Sequence, residues 1–378
     1  MKKGWENKQL GIAAEVVAGQ SPVSKFYNKS GEGLPFYQGK KQFSERYIAD
    51  PDTWTTKVTK KALKGDILMS VRAPVGPVNF STQEICIGRG LAAIRVNSEL
   101  NKDYLFYFLL KHESEIVGNS GAVFNSINKK QIEQIPIPSP PLSEQEEIVE
   151  VLDKAFAAID QAKANIEQNI ANAKELFQSK LNQIFSQKGD GWVEKTLGDV
   201  IELISGQHID SKNYNTESRG IGYLTGPSDF TELHPKVTKW TEHPKRTAIN
   251  NDILITVKGS GVGSINLMEA EELCISRQLM AMRSPTVETN YLYAFLSIQY
   301  DHFQSLANGA AIPGISRQDV LNLSICIPPS EDQPRVTSKI DELRELLSLT
   351  KTHYQTKLAS LDELKKSILQ KAFAGELT

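Results

Sequence analysis

The sequence predicts an α+β protein of two similar modules and two long helices, the helices forming an antiparallel coiled coil in a pseudo-twofold molecule. Three observations carry this reading. The chain is written twice. Within each copy, strand signals alternate with turns ahead of one short helix. Each copy then closes on a long segment with coiled-coil spacing.

The duplication lies in the residues themselves. Gly4-Trp5, Leu10-Gly11 and Gly19-Gln20 recur as Gly191-Trp192, Leu197-Gly198 and Gly206-Gln207, a shift of 187. Asp66-Ile67-Leu68 recurs as Asp252-Ile253-Leu254, and Tyr104-Leu105 as Tyr291-Leu292. Pro140-Pro141 recurs as Pro328-Pro329 and Phe185 as Phe373, now at a shift of 188. The drift marks short loop insertions. Such a period is a duplicated module, since solenoid repeats run to about 20 to 50 residues. Paired modules suit a ligand that is itself repeated or two-ended.

The elements follow in order. Lys64-Gly65-Asp66-Ile67-Leu68-Met69-Ser70-Val71-Arg72 reads as a turn feeding a strand, with further strands at Ile85-Cys86-Ile87 and Leu91 to Val96. Asn101 to Lys111 reads as a helix capped by Asn101, with Tyr104, Leu105, Phe108 and Leu109 on one face. The second copy repeats this order through Asp252 to Lys258, Leu273 to Arg283 and Tyr291 to Leu296. Each module suits a twisted or barrel-like sheet. Ile135-Pro136-Ile137-Pro138-Ser139-Pro140-Pro141 and Ile325-Cys326-Ile327-Pro328-Pro329 follow. Proline fixes φ and removes a donor, so these are extended exit straps. Ser143 and Ser330 then read as helix N-caps, trailed by the acids Glu144, Glu146, Glu331 and Asp332 that suit the helix dipole. The divisions expected are modules at 1–142 and 189–329 and helices at 143–188 and 330–378.

In the first long helix, Ile148, Leu152, Ala155, Ile159, Ala162, Ile166, Asn169, Ala173 and Leu176 step by four and three. In the second, Val336, Ile340, Leu343, Leu347, Thr350, Tyr354, Lys357, Leu361, Leu364 and Ile368 do the same. A stripe this narrow is a pairing seam. Asn169 and Lys357 interrupt it at matched positions, and polar seam residues restrict register. The competing reading places each helix on its own globular body.

Composition limits the function classes. Net charge is −2, but it is unevenly spread. Residues 1–142 carry 19 Lys and Arg against 13 Asp and Glu, whereas residues 191–329 carry 11 against 15. The first module can attract a polyanion through its overall field; the second needs a local basic face. No stretch is apolar over the about 18 residues that a membrane helix needs. The start lacks the apolar run of a signal peptide. Three cysteines argue against a disulfide framework, so a cytoplasmic setting is expected. Cys86 and Cys274 hold matching places in apolar runs and read as small buried hydrophobes.

Catalytic motifs are sparse. No Asn/Asp-Pro-Pro-aromatic methyltransferase motif and no Gly-x₄-Gly-Lys-Ser/Thr loop occurs. Gly259-Ser260-Gly261-Val262-Gly263 lacks the lysine and leads into strand-like sequence, so it reads as a hairpin turn. Pro51-Asp52 with Lys57 resembles a nuclease pattern only faintly, for want of a second acid. The six histidines are scattered without metal-ligand spacing. No metal is expected.

The strap and helix start from Ile135 through Leu142-Ser143-Glu144-Gln145 to Ile148 and Leu152-Asp153 resembles the hallmark of specificity subunits of Type I restriction–modification enzymes. So does Ser367-Ile368-Leu369-Gln370-Lys371-Ala372-Phe373-Ala374-Gly375-Glu376-Leu377, and so does the Trp-x₄-Leu-Gly opening at Trp5 and Trp192. Copy two departs at Asp332-Gln333-Pro334, where proline is tolerated near a helix start. The resemblance covers the whole chain. It implies two target-recognition domains, each reading one half of a bipartite, asymmetric DNA site. It implies helices that set the spacing and dock two modification subunits, which flip an adenine and methylate it with S-adenosylmethionine. Restriction subunits using ATP and Mg²⁺ would join them. This chain would itself be non-catalytic and hold no cofactor.

Base readers are expected where loops pair donors with aromatics. Gln38, Lys40, Lys41 and Gln42 offer amides for adenine and cations for guanine or phosphate. Their counterparts Tyr223, Thr225 and Ser228 are uncharged, so the modules should read different sequences. Arg72 and Lys258 match in position, as do Arg89 and Arg277, which suits phosphate contact. Asn125, Lys129, Lys130 and Arg317 sit where a turn enters a short helix. Ser260 and Gln278 complete the set. The alternative function is a coiled-coil protein scaffold without sequence-specific DNA binding; a nuclease with its own site is the other rival.

Overall fold

The first strand of each module pairs with its last. In the computed structural model, which describes residues 5–118, 126–186, 189–259, 261–307 and 313–377, Glu6–Gln9 runs antiparallel to Pro136–Ser139. Val193–Thr196 runs likewise against Ser324–Ile327. The proline strap is therefore a strand. A two-stranded ribbon has only edges, and edges tolerate prolines that lack a donor.

Each module stacks two sheets. In module one, a four-stranded antiparallel sheet has the order Ala14–Ala18, Leu91–Val96, Ile67–Ser70, Val78–Phe80. The second sheet contains Leu34–Tyr37 parallel to Ile85–Ile87, with Phe36 opposite Cys86. Module two repeats both, including the parallel pair, where Tyr223 lies opposite Cys274. All four residues of Ile67–Ser70 are buried because the strand has apolar neighbours on both faces. Ile67 and Met69 join the core under the helix, whereas Leu68 joins the core between the sheets. Cys86 and Cys274 are buried as well.

Asp66 explains the repeated Asp-Ile-Leu. Its carboxylate accepts from the Leu63 N–H and takes a two-pronged bond from Arg95 at 3.0 and 2.8 Å. Asp252 does the same with the Ile249 N–H and Arg283. The turn before each carboxylate needs a left-handed residue, Gly65 at φ 88° and Asn251 at φ 67°.

The short helix of module one, Lys102–Gly118, is capped by Asn101, whose Oδ1 accepts from the N–H groups of Asp103 and Tyr104. It buries more than one face. Phe106 and Tyr107 are buried along with Tyr104, Leu105, Phe108 and Leu109. The far side is covered by the long helices: Tyr107 meets Phe156 at 5.3 Å, and Tyr104 and Phe108 meet Phe373 at 5.1 and 5.4 Å. In module two, Phe185 packs edge-on against Tyr291 at 5.1 Å and Phe295 at 5.5 Å.

The long helices are Leu142–Ser186 and Gln333–Ala374. The chain divides into two compact units, Met1–Ile166 with Gln355–Thr378, and Glu167–Tyr354. Each unit thus owns one half of each long helix. In the first unit, Asp160 bonds Lys365 at 3.3 Å and Lys163 bonds Asp362 at 2.5 Å. The numbers rise along one helix and fall along the other, so the pair is antiparallel.

The seam departs from the strict heptad. Ile148, Leu152, Ile159, Ile166 and Ile340 are buried, and Leu343, Leu347, Tyr354 and Leu361 are half-buried. Asn169 and Lys357 are instead exposed, and Leu176 and Leu364 are 60% and 46% exposed. After Ile166 the covered positions are Ile170, Ala173, Phe177 and Leu181, with Ile170 and Phe177 in place of Asn169 and Leu176. A helix with 3.6 residues per turn drifts against a period of 3.5, and the stripe follows the drift. Asn169 and Lys357 therefore lie outside the buried seam.

The helix caps also differ from expectation. Ser143 lies inside the first turn, and Ser330 precedes its helix by three residues. The Pro141 and Pro329 carbonyls receive the first N–H groups, and buried Gln145 and Gln333 do the anchoring. Gln145 accepts from the Asn101 N–H and donates to the Pro140 carbonyl; Gln333 accepts from the Glu288 N–H and donates to the Pro328 carbonyl.

Replacing Arg95 by Ala leaves the Asp66 carboxylate buried without its cation and should cost about 3 kcal/mol. Replacing exposed Glu15, the other acid on Arg95, should cost under about 1 kcal/mol. The urea midpoint of the purified chain checks both.

Candidate nucleic-acid interface

Three backbone crossings assemble one polar edge in each module. In module one, the Val71 N–H bonds the Gly90 carbonyl, and the Ile127 N–H bonds the Val71 carbonyl. These bonds set the segment carrying Arg72 beside the turn carrying Arg89 and beside the start of the helix Lys129–Glu133. The Gly88 N–H bonds the Tyr37 carbonyl, and the Gly90 N–H bonds the Gln38 carbonyl. Gln38 therefore joins the same edge. Module two repeats the construction: the Val257 N–H bonds the Gln278 carbonyl, and the Ile315 N–H bonds the Val257 carbonyl. Lys258, Arg277, Gln278 and Arg317 are thereby gathered, and all four are exposed.

A close approach holds each edge in place. A Cβ on Gly19 would lie 2.2 Å from the Gly88 carbonyl oxygen, and one on Gly206 would lie 2.1 Å from that of Ser276. Only glycine lets the chain leave the first sheet against the turn that carries the arginine. The next residues, Gln20 and Gln207, are exposed amides at matched positions. They were not among the expected readers, although their recurrence in the repeated Gly-Gln pair was a signal that could have found them.

The chemistry then diverges. In module one, Ser21 Oγ donates to Gln38 Oε1 at 2.9 Å and accepts from the Arg89 N–H at 3.2 Å. Ser21 is thus a positioning residue the sequence did not reveal. Lys40–Gln42 form a 3₁₀ turn with both lysines exposed. Lys41 pairs with Asp52 at 2.6 Å, and that hydrogen bond holds the Asp52 carboxyl below its ordinary range. In module two, the matching turn Pro227–Asp229 turns its acid inward. Asp229 is 5% exposed and accepts from the Thr225 N–H and hydroxyl at 2.6 and 2.9 Å.

Several expected readers are not available on this edge. Tyr223 is 2% exposed; its ring fills the sheet interior and its hydroxyl accepts from the Ile209 N–H. It cannot stack on a base. Thr225 is half-buried and committed to Asp229. Ser228 is exposed. The helices after Asn128 and Ser316 carry capping boxes, so the Gln131 and Asp319 N–H groups are already used. Lys129 and Lys130 are exposed, Lys129 beside Glu133, and Arg317 donates to Ser205 Oγ at 2.7 Å. Asn125 and Ser260 lie outside the described residues. Gly259 to Gly263 connect antiparallel Ile253–Thr256 and Ile265–Leu267, as a hairpin turn does. Among the described residues, no group of three or more His, Cys, Asp or Glu is arranged to hold a metal.

The model of the Type I restriction modification DNA specificity domain matches residues 2–172 and again 189–358. The chain belongs to that family. Each copy of the duplication is one such domain. The chain is 44% identical over 176 residues to a putative type I restriction enzyme specificity subunit, MjaX, of Methanocaldococcus jannaschii, a match covering 45% of this chain and 41% of that protein. Against the MjaIX specificity subunit of the same organism it is 24% identical, covering 99% and 94% of the two chains. Against the Escherichia coli EcoBI specificity subunit it is 21% identical, covering 99% and 86%. A solved chain from a study of type I R-M system assembly shares the fold with a TM-score of 0.78 at 24% identity, covering 100% of this chain and 99% of that one. The HsdS subunit from Thermoanaerobacter tengcongensis gives 0.57 at 23%, covering 100% and 98%.

Because Gly19 has no room for a methyl group, Gly19→Ala should shift the turn carrying Arg89 and destabilise the first module by about 2 kcal/mol. Gly39→Ala, where nothing lies within 4 Å of the added Cβ, should cost under about 1 kcal/mol. Urea titration with Trp fluorescence distinguishes the two.

Proposed function

We propose that this chain is the DNA sequence-recognition subunit of a Type I restriction–modification complex. The observation that carries the reading is the matched polar edge in each of two specificity domains, built on the same backbone crossings but faced with different side chains. Each domain reads one half of a bipartite, asymmetric site. Arg72 with Arg89, and Lys258 with Arg277, contact phosphate. Gln38 in the first domain and Gln278 in the second contact bases, since an exposed amide can pair with an adenine edge. The cationic Lys40–Lys41 turn and its counterpart, which carries no lysine and turns Asp229 inward, give the halves different preferences.

The chain acts as an adaptor. The two long helices set the spacing and dock two methyltransferase subunits, and restriction subunits complete the complex. S-adenosylmethionine, ATP and Mg²⁺ serve those partners. The reading as a protein-only scaffold is tested in the same assays.

With the modification partner present, a gel shift on random duplexes should enrich one split sequence; retention of all sequences alike would leave only the scaffold. Arg72→Ala or Lys258→Ala should lower the slope of log K against log salt by about 1 without changing the sequence read. Gln38→Ala should relax one half-site only. Inserting four residues after Ile166 and four after Tyr354, about 6 Å of helix each, should lengthen the unread spacer while both half-sites persist. Methylome sequencing reads the outcome, and an unchanged spacer removes the ruler.

A further inference from the structure

The second unit contains a cavity of about 520 Å³ between the loop 231–234, the short helix Thr289–Ser297 and the halves of the long helices that it owns. The duplication supplies its own control. The corresponding place in the first unit holds only about 220 Å³. There Arg46 fills the space: its guanidinium donates to the Tyr107 hydroxyl and to the carboxylates of Asp103 and Asp153, at 2.8 to 2.9 Å. Lys365 lies over the Phe156 ring at 4.6 Å and bonds Asp160, while Lys163 bonds Asp362. Every cation at that place has a carboxylate of its own chain.

The repeat shifts of 187 and 188 map these residues onto the second unit. Arg46 becomes Leu233, so the plug is missing. Phe156 becomes Arg344, Lys163 becomes Lys351, and Lys365 becomes Phe177. The two acids of the helix pair vanish: Asp160 becomes Ser348 and Asp362 becomes Lys174. All of these replacements line the cavity. Arg344 retains Asp341 at 2.8 Å, and Lys351 reaches Glu232 at 2.7 Å, an acid 81% exposed. The lining thus keeps three cations after losing two carboxylates. Its floor is apolar, made by Ile170, Phe177, Leu233, Tyr293 and Leu347.

We infer that this cavity is a binding site for a small planar organic anion, one or two fused rings carrying a single carboxylate or sulfonate. Its volume lies in the range of about 300 to 1,000 Å³ typical of small-molecule sites. The ring covers the apolar floor. The acid group takes the place of the lost aspartates, between Lys174, Lys351 and Arg344, where a charge-assisted bond gains from partial burial. The ligand stands where Arg46 stands in the first unit, against the loop 231–234 and the helix pair. The site is separate from the polar edge assigned to DNA and does not depend on that assignment.

The test uses the full chain with 8-anilinonaphthalene-1-sulfonate, and N-phenyl-1-naphthylamine as the same ring system without the charge. One saturable site for the sulfonate is expected. Lys174→Asp, on an exposed helix surface, should weaken the sulfonate about tenfold and leave the neutral probe within about twofold. Leu233→Arg should restore the plug and abolish both. Circular dichroism verifies that the variants fold. The inference falls if no saturable site exists, if both variants bind the sulfonate as the parent does, or if Lys174→Asp weakens both probes equally.

Discussion

The structure depends on one packing constraint: the helical core of each module closes only when both long helices lie on it. In the first unit, the core under the sheet joins Ile148, Leu152 and Phe156 from the first helix to Leu369, Ala372 and Phe373 from the second. In the second unit, Leu181 and Ile340 do the same. The last residues of the chain are thus needed by its first module. This also explains why six successive residues of the short helix, Tyr104 to Leu109, are all buried. A helix with a sheet on one side and two helices on the other has no side left for water.

Against that shared packing, the two modules divide their residues into a repeated skeleton and a varied surface. Asp66 with Arg95, and Asp252 with Arg283, tie turn to strand by the same bonds. Gln145 and Gln333 tie each long helix to the loop before the short one. Gly19 and Gly206 bring each chain against the turn that carries the arginine. What changes is what faces outward. Lysines at 40 and 41 stand where Pro227 and Ser228 stand in the second copy, and the half-buried carboxamide of Gln42 becomes the buried acid Asp229. An adaptor that reads two unlike half-sites with one architecture needs this division, since the skeleton sets where side chains stand and the surface sets what they prefer.

The legibility of the sequence followed the range of the physics involved. Asn101 caps the helix as expected because capping is decided within three residues. The Gly259 to Gly263 turn was readable for the same reason. The seam was readable through Ile166 and then lost, because a helical stripe must follow 3.6 residues per turn once the partner surface allows it, which moved Asn169 and Lys357 into solvent. Tyr223 looked like a reader because aromatics beside polar loops suit bases. The parallel pairing of its strand with Glu272–Ile275 turned its ring inward, and that pairing joins residues some fifty apart. Ser21 and Gln145 were silent in the sequence, being polar residues whose partners come from distant segments.

Local and periodic physics let the sequence by itself determine the duplication, the order of elements, the buried cysteines, the two long helices and the family to which the chain belongs. Tertiary structure alone decided which half of each helix serves which module, which of the matched cations share an edge, and that one copy closes a cavity with Arg46 while the other leaves it open beside Leu233. The reason is that these outcomes are set by contacts between residues far apart in the chain, and nothing in the local pattern of either partner records the other.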